Sequence, residues 1–133
     1  MIRKKVVLAF LAFGLVACGD NGIGPEDVAG TYTLQTINGD PLPWVSFQTG
    51  ADKIEVTAGS VTLNADMTCS VSTTGRGTLS GNVTTFTETH VCTYTLIEGA
   101  ITLTRPSATD VGGSINGSAL TITTDELVFV YRK

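Results

Sequence analysis

The chain has 133 residues, 12 acidic against 8 basic side chains and a net charge of −4. That is one domain's worth of sequence, without the basic excess that nucleic-acid binding requires. Its 22 threonines all lie from Thr31 onward; a β-branched side chain suits a pleated, half-exposed surface, and after Gly30 no window has helical periodicity.

The N-terminus is of a different kind. Arg3, Lys4 and Lys5 precede an uninterrupted apolar run, Val6 to Val16, with no polar stripe of the sort a buried helix carries. As a helix it would cover about 16 Å, roughly half of a 30 Å hydrocarbon core: too short to span, and of the right length for the apolar region of a secretory signal. Small residues then lead to a cysteine, Leu15-Val16-Ala17-Cys18, followed by Gly19-Asp20-Asn21-Gly22. This stretch resembles the lipobox of bacterial lipoproteins. The resemblance implies diacylglyceryl transfer to the Cys18 thiol, removal of residues 1–17 as signal peptide, and acylation of the new amine. Gly19, not Asp, after the lipidated residue implies the outer membrane. Ordinary secretion would instead leave Cys18 as a free thiol. Loss of the leader takes three cations with it, so residues 18–133 carry 5 basic and 12 acidic side chains, net −7. This charge also disfavours attraction to anionic head groups.

In the oxidising space beyond the inner membrane, Cys69 and Cys92 form an even pair. A hairpin centred on Ser80-Gly81 would set them directly opposite one another. The expectation is a Cys69–Cys92 disulfide, closing a loop of about 24 residues and worth about 3 kcal/mol in the chain-entropy model. A redox-active pair is the alternative reading, without the C-x-x-C spacing that usually marks one.

Residues 18–27 read as a flexible Gly/Asn/Pro/acidic tether, with Pro25 to Ala29 able to form one helical turn, and residues 28–133 as the folded domain. The first strand is expected over Thr31–Ile37, ending at Asn38-Gly39-Asp40-Pro41. Pro41 and Pro43 predict an irregular link holding Trp44, Val45 and Phe47. Lys53–Thr57 and Ser60–Asn64 alternate apolar and polar residues and are read as a pair turning at Ala58-Gly59. After a turn at Asn64-Ala65-Asp66, Met67, Cys69 and Val71 share a face. Thr73–Asn82 is Gly-rich and reads as a long hairpin end or flexible loop. Strands follow at Val83–Val91, Thr93–Ile97, Ala100–Arg105, Val111–Ile115, Leu120–Ile122 and Leu127–Arg132, the last apolar on both faces.

Turns at short intervals and the absence of a long crossover predict antiparallel neighbours. Eight to ten such strands favour an all-β, up-and-down barrel with first and last strands adjacent, since closure removes exposed edges; an open sandwich is the other solution. Four pieces, Gly30-Thr31-Tyr32-Thr33-Leu34, Gly59 to Thr68, Thr93-Tyr94-Thr95-Leu96 before Ile101-Thr102-Leu103, and Val128-Phe129-Val130-Tyr131-Arg132, resemble the lipocalin-like domains of bacterial lipoproteins. Tyr32 stands where the lipocalin pattern has Trp, and the resemblance implies that Arg132 covers it by a cation–π contact.

Candidate chemistry is sparse. His90 and Glu88 share a strand face and would suit a metal pair or a general base, but two ligands are too few for a closed zinc site, and no nucleophile–base–oxyanion set is recognisable. No metal, no cofactor and no enzymatic activity are expected. Tyr32, Trp44, Phe47, Phe86 and Tyr94 are the ligand-lining candidates if the barrel has a cavity, with Trp44 and Phe47 as its lid; otherwise they are core. Arg76 and Arg105 lie in or beside loops, where they are either carboxylate binders or solvated surface. The expected function is an outer-membrane-anchored module binding a small apolar ligand. The other reading is a solid barrel contacting an envelope protein, structural or protease-inhibitor-like. A cavity above about 300 Å³ separates the first from the second.

Overall fold

A computed structural model of the protein describes residues 23–133. The leader, Cys18 and the start of the tether lie outside the described residues. One helical turn, α1 (Pro25–Val28), leads into ten strands: β1 (Gly30–Ile37), β2 (Asp40–Pro41), β3 (Trp44–Thr49), β4 (Asp52–Leu63), β5 (Thr68–Leu79), β6 (Asn82–Ile97), β7 (Ala100–Thr104), β8 (Val111–Asn116), β9 (Ala119–Thr123) and β10 (Val128–Arg132).

Every pairing is antiparallel. From β4 to β10 each strand pairs with the next, and β10 returns to β1. The ring closes because β1 divides its length: Gly30–Thr33 pairs with the end of β4, and Thr33–Ile37 with β10. The result is a closed eight-stranded up-and-down barrel, with β2 and β3 attached outside the ring. Closure decides against the open sandwich. Tight turns of Asn38-Gly39, Ser80-Gly81 and Glu98-Gly99 join strands with both residues at positive φ, the twist-compatible hairpin geometry.

Period-two alternation supplies the core: Tyr32, Leu34, Val61, Leu63, Cys69, Cys92, Tyr94, Ile101, Leu103, Ile115, Leu120, Ile122 and Tyr131 are all buried. In β1 the alternation breaks between Leu34 and Thr36, where a bulge turns Ile37 inward. Outward faces carry hydroxyl ladders, such as Thr31–Thr62 at 3.1 Å and Thr74–Thr87 at 3.0 Å. The Cys69–Cys92 disulfide is present, its residues directly opposed in β5 and β6.

One end of the barrel is closed. There Val28 of α1 is buried, the Tyr32 hydroxyl donates to the Val28 carbonyl at 2.7 Å, and the Tyr94 hydroxyl donates to the Asn64 carbonyl at 2.6 Å. The cation over the Tyr32 ring is Lys133, 5.2 Å from its centroid, and not Arg132. The β1–β10 register explains this: Thr33 opposes Arg132, so the next residue along, Lys133, comes level with Tyr32.

Three stretches differ from the sequence expectation. The Pro-flanked link forms a strand, β3, along the start of β4. Ala58-Gly59 is no turn, because β4 runs through it with a bulge between Val56 and Ala58. Gly59 is needed for close packing instead: a Cβ there would lie 3.0 Å from Leu34 Cδ2. The Gly-rich Thr73–Asn82 stretch is regular strand up to Leu79, and β6 is continuous over the expected break at Cys92.

Candidate functional site

The end opposite α1 is open, and the wall around it is uneven. β6 pairs with β7 only from Thr93 onward, yet its pairing with β5 continues to Asn82, about 35 Å of strand farther. β3, β4, β5 and β6 thus form an arm standing beyond the barrel mouth. Among the described residues no strand pairs with the outer edge of β6 between Asn82 and Cys92.

The inward face of the barrel wall continues without interruption onto one face of this arm. Along β5 it runs Cys69, Val71, Thr73, Gly75, Gly77, Leu79; the residues opposite on β6 are Cys92, His90, Glu88, Phe86, Thr84 and Asn82. β4 adds Val56 and Ile54, and β3 adds Trp44 and Phe47. Beyond Glu88 and His90 the arm face is mostly apolar and open: Phe47 is 55% exposed, Leu79 66% and Phe86 40%. Gly75 is required here, because the Phe86 ring lies over it and a Cβ would also meet the Glu55 carbonyl at 2.9 Å. A cleft of about 390 Å³ lies along this face between Phe47, Ile54, Leu79 and Thr84.

The other arm face is polar. Glu55 is only 4% exposed, held by Arg76 through Nε and Nη2, each 3.0 Å from Oε1, with Lys53 3.6 Å from Oε2. The hydrogen bond from Arg76 holds the Glu55 carboxyl below its ordinary value of 4.5. Arg76 is therefore engaged, and serves the structure of the arm.

At the mouth is a cavity of about 160 Å³. Its floor and walls are Val61, Val71, Leu103, Val111, Ile122, Phe129 and Tyr131; its polar lining is Thr73, His90, Arg105 and Thr124. The Phe129 and Tyr131 rings stack with centroids 6.5 Å apart, and burial pushes the Tyr131 phenol up to about 12, so it stays neutral in ordinary conditions. Arg105 follows β7 directly. Its Nη2 donates to the Thr109 carbonyl at 3.1 Å, while its Nε is buried with no hydrogen-bond partner. Ion pairs among the described residues are Lys53–Glu55, Arg76–Glu55 and His90–Glu88, so Arg105 has none.

The five candidate ligand residues fall into two places. Tyr32 and Tyr94 sit at the closed end with their hydroxyls on backbone carbonyls, as core. Trp44, Phe47 and Phe86 come together on the arm face. None of the five lines the mouth cavity. Glu88 and His90 are a rim pair, 3.7 Å apart and well exposed, and no group of three or more His, Cys, Asp or Glu side chains gathers among the described residues. The cavity-lining aliphatics were legible as inward residues but not as mouth residues, since alternation gives a face and not a height along the barrel. No protein-family model, curated protein or solved structure matches the chain.

Proposed function

We propose that the protein is a lipid-anchored binding module of the bacterial envelope, a lipocalin-like barrel that takes a small apolar ligand at its open end. The observation that carries this reading is the continuity of the mouth cavity with the apolar arm face through Val71, Thr73 and Gly75. At about 160 Å³ the cavity falls short of the roughly 300 Å³ expected of a ligand pocket, so its volume by itself favours the solid-barrel reading; it is nonetheless the size of the benzene-sized voids that do bind apolar guests. The cavity then holds one ring or a short stretch of chain, and the rest of the ligand lies along Phe86, Val56 and Trp44. Most of the barrel interior is filled by side chains, as an eight-stranded ring allows.

The anchor fits this arrangement. The described chain enters through α1 at the closed end, so acyl chains on Cys18 would hold that end at the membrane and present the mouth away from it. Three acyl chains exceed the two signals that stable anchoring requires. The same argument disfavours the bilayer itself as occupant of the arm face.

A second reading has its own support. The unpaired outer edge of β6 and the exposed Val83, Phe86 and Val91 suit an added strand from an envelope protein. Native mass spectrometry of protein purified from its own host distinguishes the two. A bound small molecule, displaced by the neutral dye N-phenyl-1-naphthylamine, is the expected result. A co-purifying polypeptide with no dye binding would replace the first reading by the second.

A further inference from the structure

Among the described residues, Arg105 is the arginine at the mouth that forms no ion pair. Its Nε is buried, shielded from water and without a partner, which is a costly arrangement for a charged group unless a ligand completes it. Asp110 and Asp125 line the adjoining cleft beside it, yet neither forms an ion pair with it. The Arg105 side chain as a whole is half-buried, with Nε its one buried nitrogen left without a hydrogen-bond partner among the described residues, in a domain where acidic side chains outnumber basic ones. The neighbours on the cavity side are apolar: Val111, Leu103, Ile122 and Phe129. His90 and Thr73 add further polar atoms to the rim. Tyr131 stays neutral because of its burial, so the negative charges near the mouth are Asp110 and Asp125 in the adjoining cleft and Glu88, which faces His90.

We infer that the mouth binds an amphipathic monoanion, its apolar end in the cavity and its carboxylate on the Arg105 guanidinium. This rests on the ligand-binding reading above and specifies the ligand's chemistry. The planar donor fork of arginine matches a carboxylate, and the pairing satisfies the orphaned Nε. An apolar chain bearing an alcohol fills the same cavity but offers only a neutral hydroxyl to the half-buried cation. The site therefore discriminates by charge at one end of the ligand and by size at the other.

The test uses two probes of equal chain length, octanoate and octan-1-ol, each competing against N-phenyl-1-naphthylamine on the purified protein. The expected result is at least tenfold tighter binding of octanoate. Arg105→Gln should bring the affinity for octanoate down to that for the alcohol in the same variant, and Arg105→Lys should restore part of the difference. Equal affinity of acid and alcohol for the unaltered protein overturns the anion inference and leaves the apolar site standing. Failure of the dye and of both probes to bind overturns the apolar site itself. The comparison on the unaltered protein decides the matter even if the Arg105 variants do not fold.

Discussion

Glu55 shows how a strand residue expected to face water becomes part of the structure. Alternation puts it on the polar face of the arm, as the sequence suggests, but Arg76 lies directly opposite in the β4–β5 register and folds over it. Because the folded carboxyl titrates below its ordinary value of 4.5, the stability it contributes is full above that value and is lost as pH falls through the lowered folded value. Thermal unfolding of Glu55→Gln across pH 3 to 7 should therefore show a flatter acid limb than that of the unaltered protein. Tyr131 gives the opposite sign. Its phenol is raised from 10.0 to about 12, so its contribution is full below 10 and fades as pH rises toward 12. Tyr131→Phe should remove that alkaline dependence, read by denaturant unfolding over the same pH range. At Gly75 the limit is steric. Gly75→Val must displace the Phe86 ring and press on the Glu55 carbonyl, and an overpacking cost of about 1–3 kcal/mol is expected from denaturation midpoints.

Among the elements, the β5–β6 hairpin is the longest pairing in the molecule, unbroken from Thr68–Thr93 to Leu79–Asn82. The disulfide sits at its barrel end, where Cys69 and Cys92 are both buried. Cys69→Ala with Cys92→Ala should lower unfolding stability by about 3 kcal/mol in the chain-entropy picture, measured by denaturant titration with and without reductant. The arm beyond the bridge keeps its strand pairing in that variant, because its register is set by the Ser80-Gly81 turn and not by the bridge. Element α1 is held by the buried Tyr32–Val28 bond, by burial of the Val28 side chain and by the bond from the Gly24 N–H to the Asp27 carboxylate. Tyr32→Phe leaves the Val28 carbonyl without its donor and should cost about 1–2 kcal/mol, with faster amide exchange concentrated in residues 25–29.

For the whole molecule, the decisive property is the asymmetry between its two ends. The closed end is sealed by α1, two tyrosines and Lys133; the open end has a cavity and, among the described residues, an arginine without an ion pair and an arm with bare strand edges. Unprotected edges of this length invite added strands unless charge or proline blocks them, and residues 82–91 of β6 carry one acidic residue and no proline or lysine. Phe86→Asp, on the arm face and outside the mouth cavity, should weaken binding of a long apolar probe more than that of a benzene-sized one; competition titrations with the two probes measure the difference.

Much of this architecture was written into the residues themselves. Period-two alternation, threonine on the wet faces and paired turn residues specify an antiparallel all-β chain, and the equal spacing of Cys69 and Cys92 about Ser80-Gly81 specifies their bridge, because strand register is local once the turn is known. What folding in three dimensions alone decided is where strands end and what lies across from what. Ala58-Gly59 and the Gly75 region look like turns in one dimension because glycine usually marks one; here Leu34, from the distant β1, and Phe86, directly across the β5–β6 hairpin, occupy the space a side chain would need. Arg76 and Arg105 were equal candidates on the page of letters. One found a carboxylate across the sheet and the other an apolar cavity, a difference set by long-range pairing that no local pattern of side chains encodes.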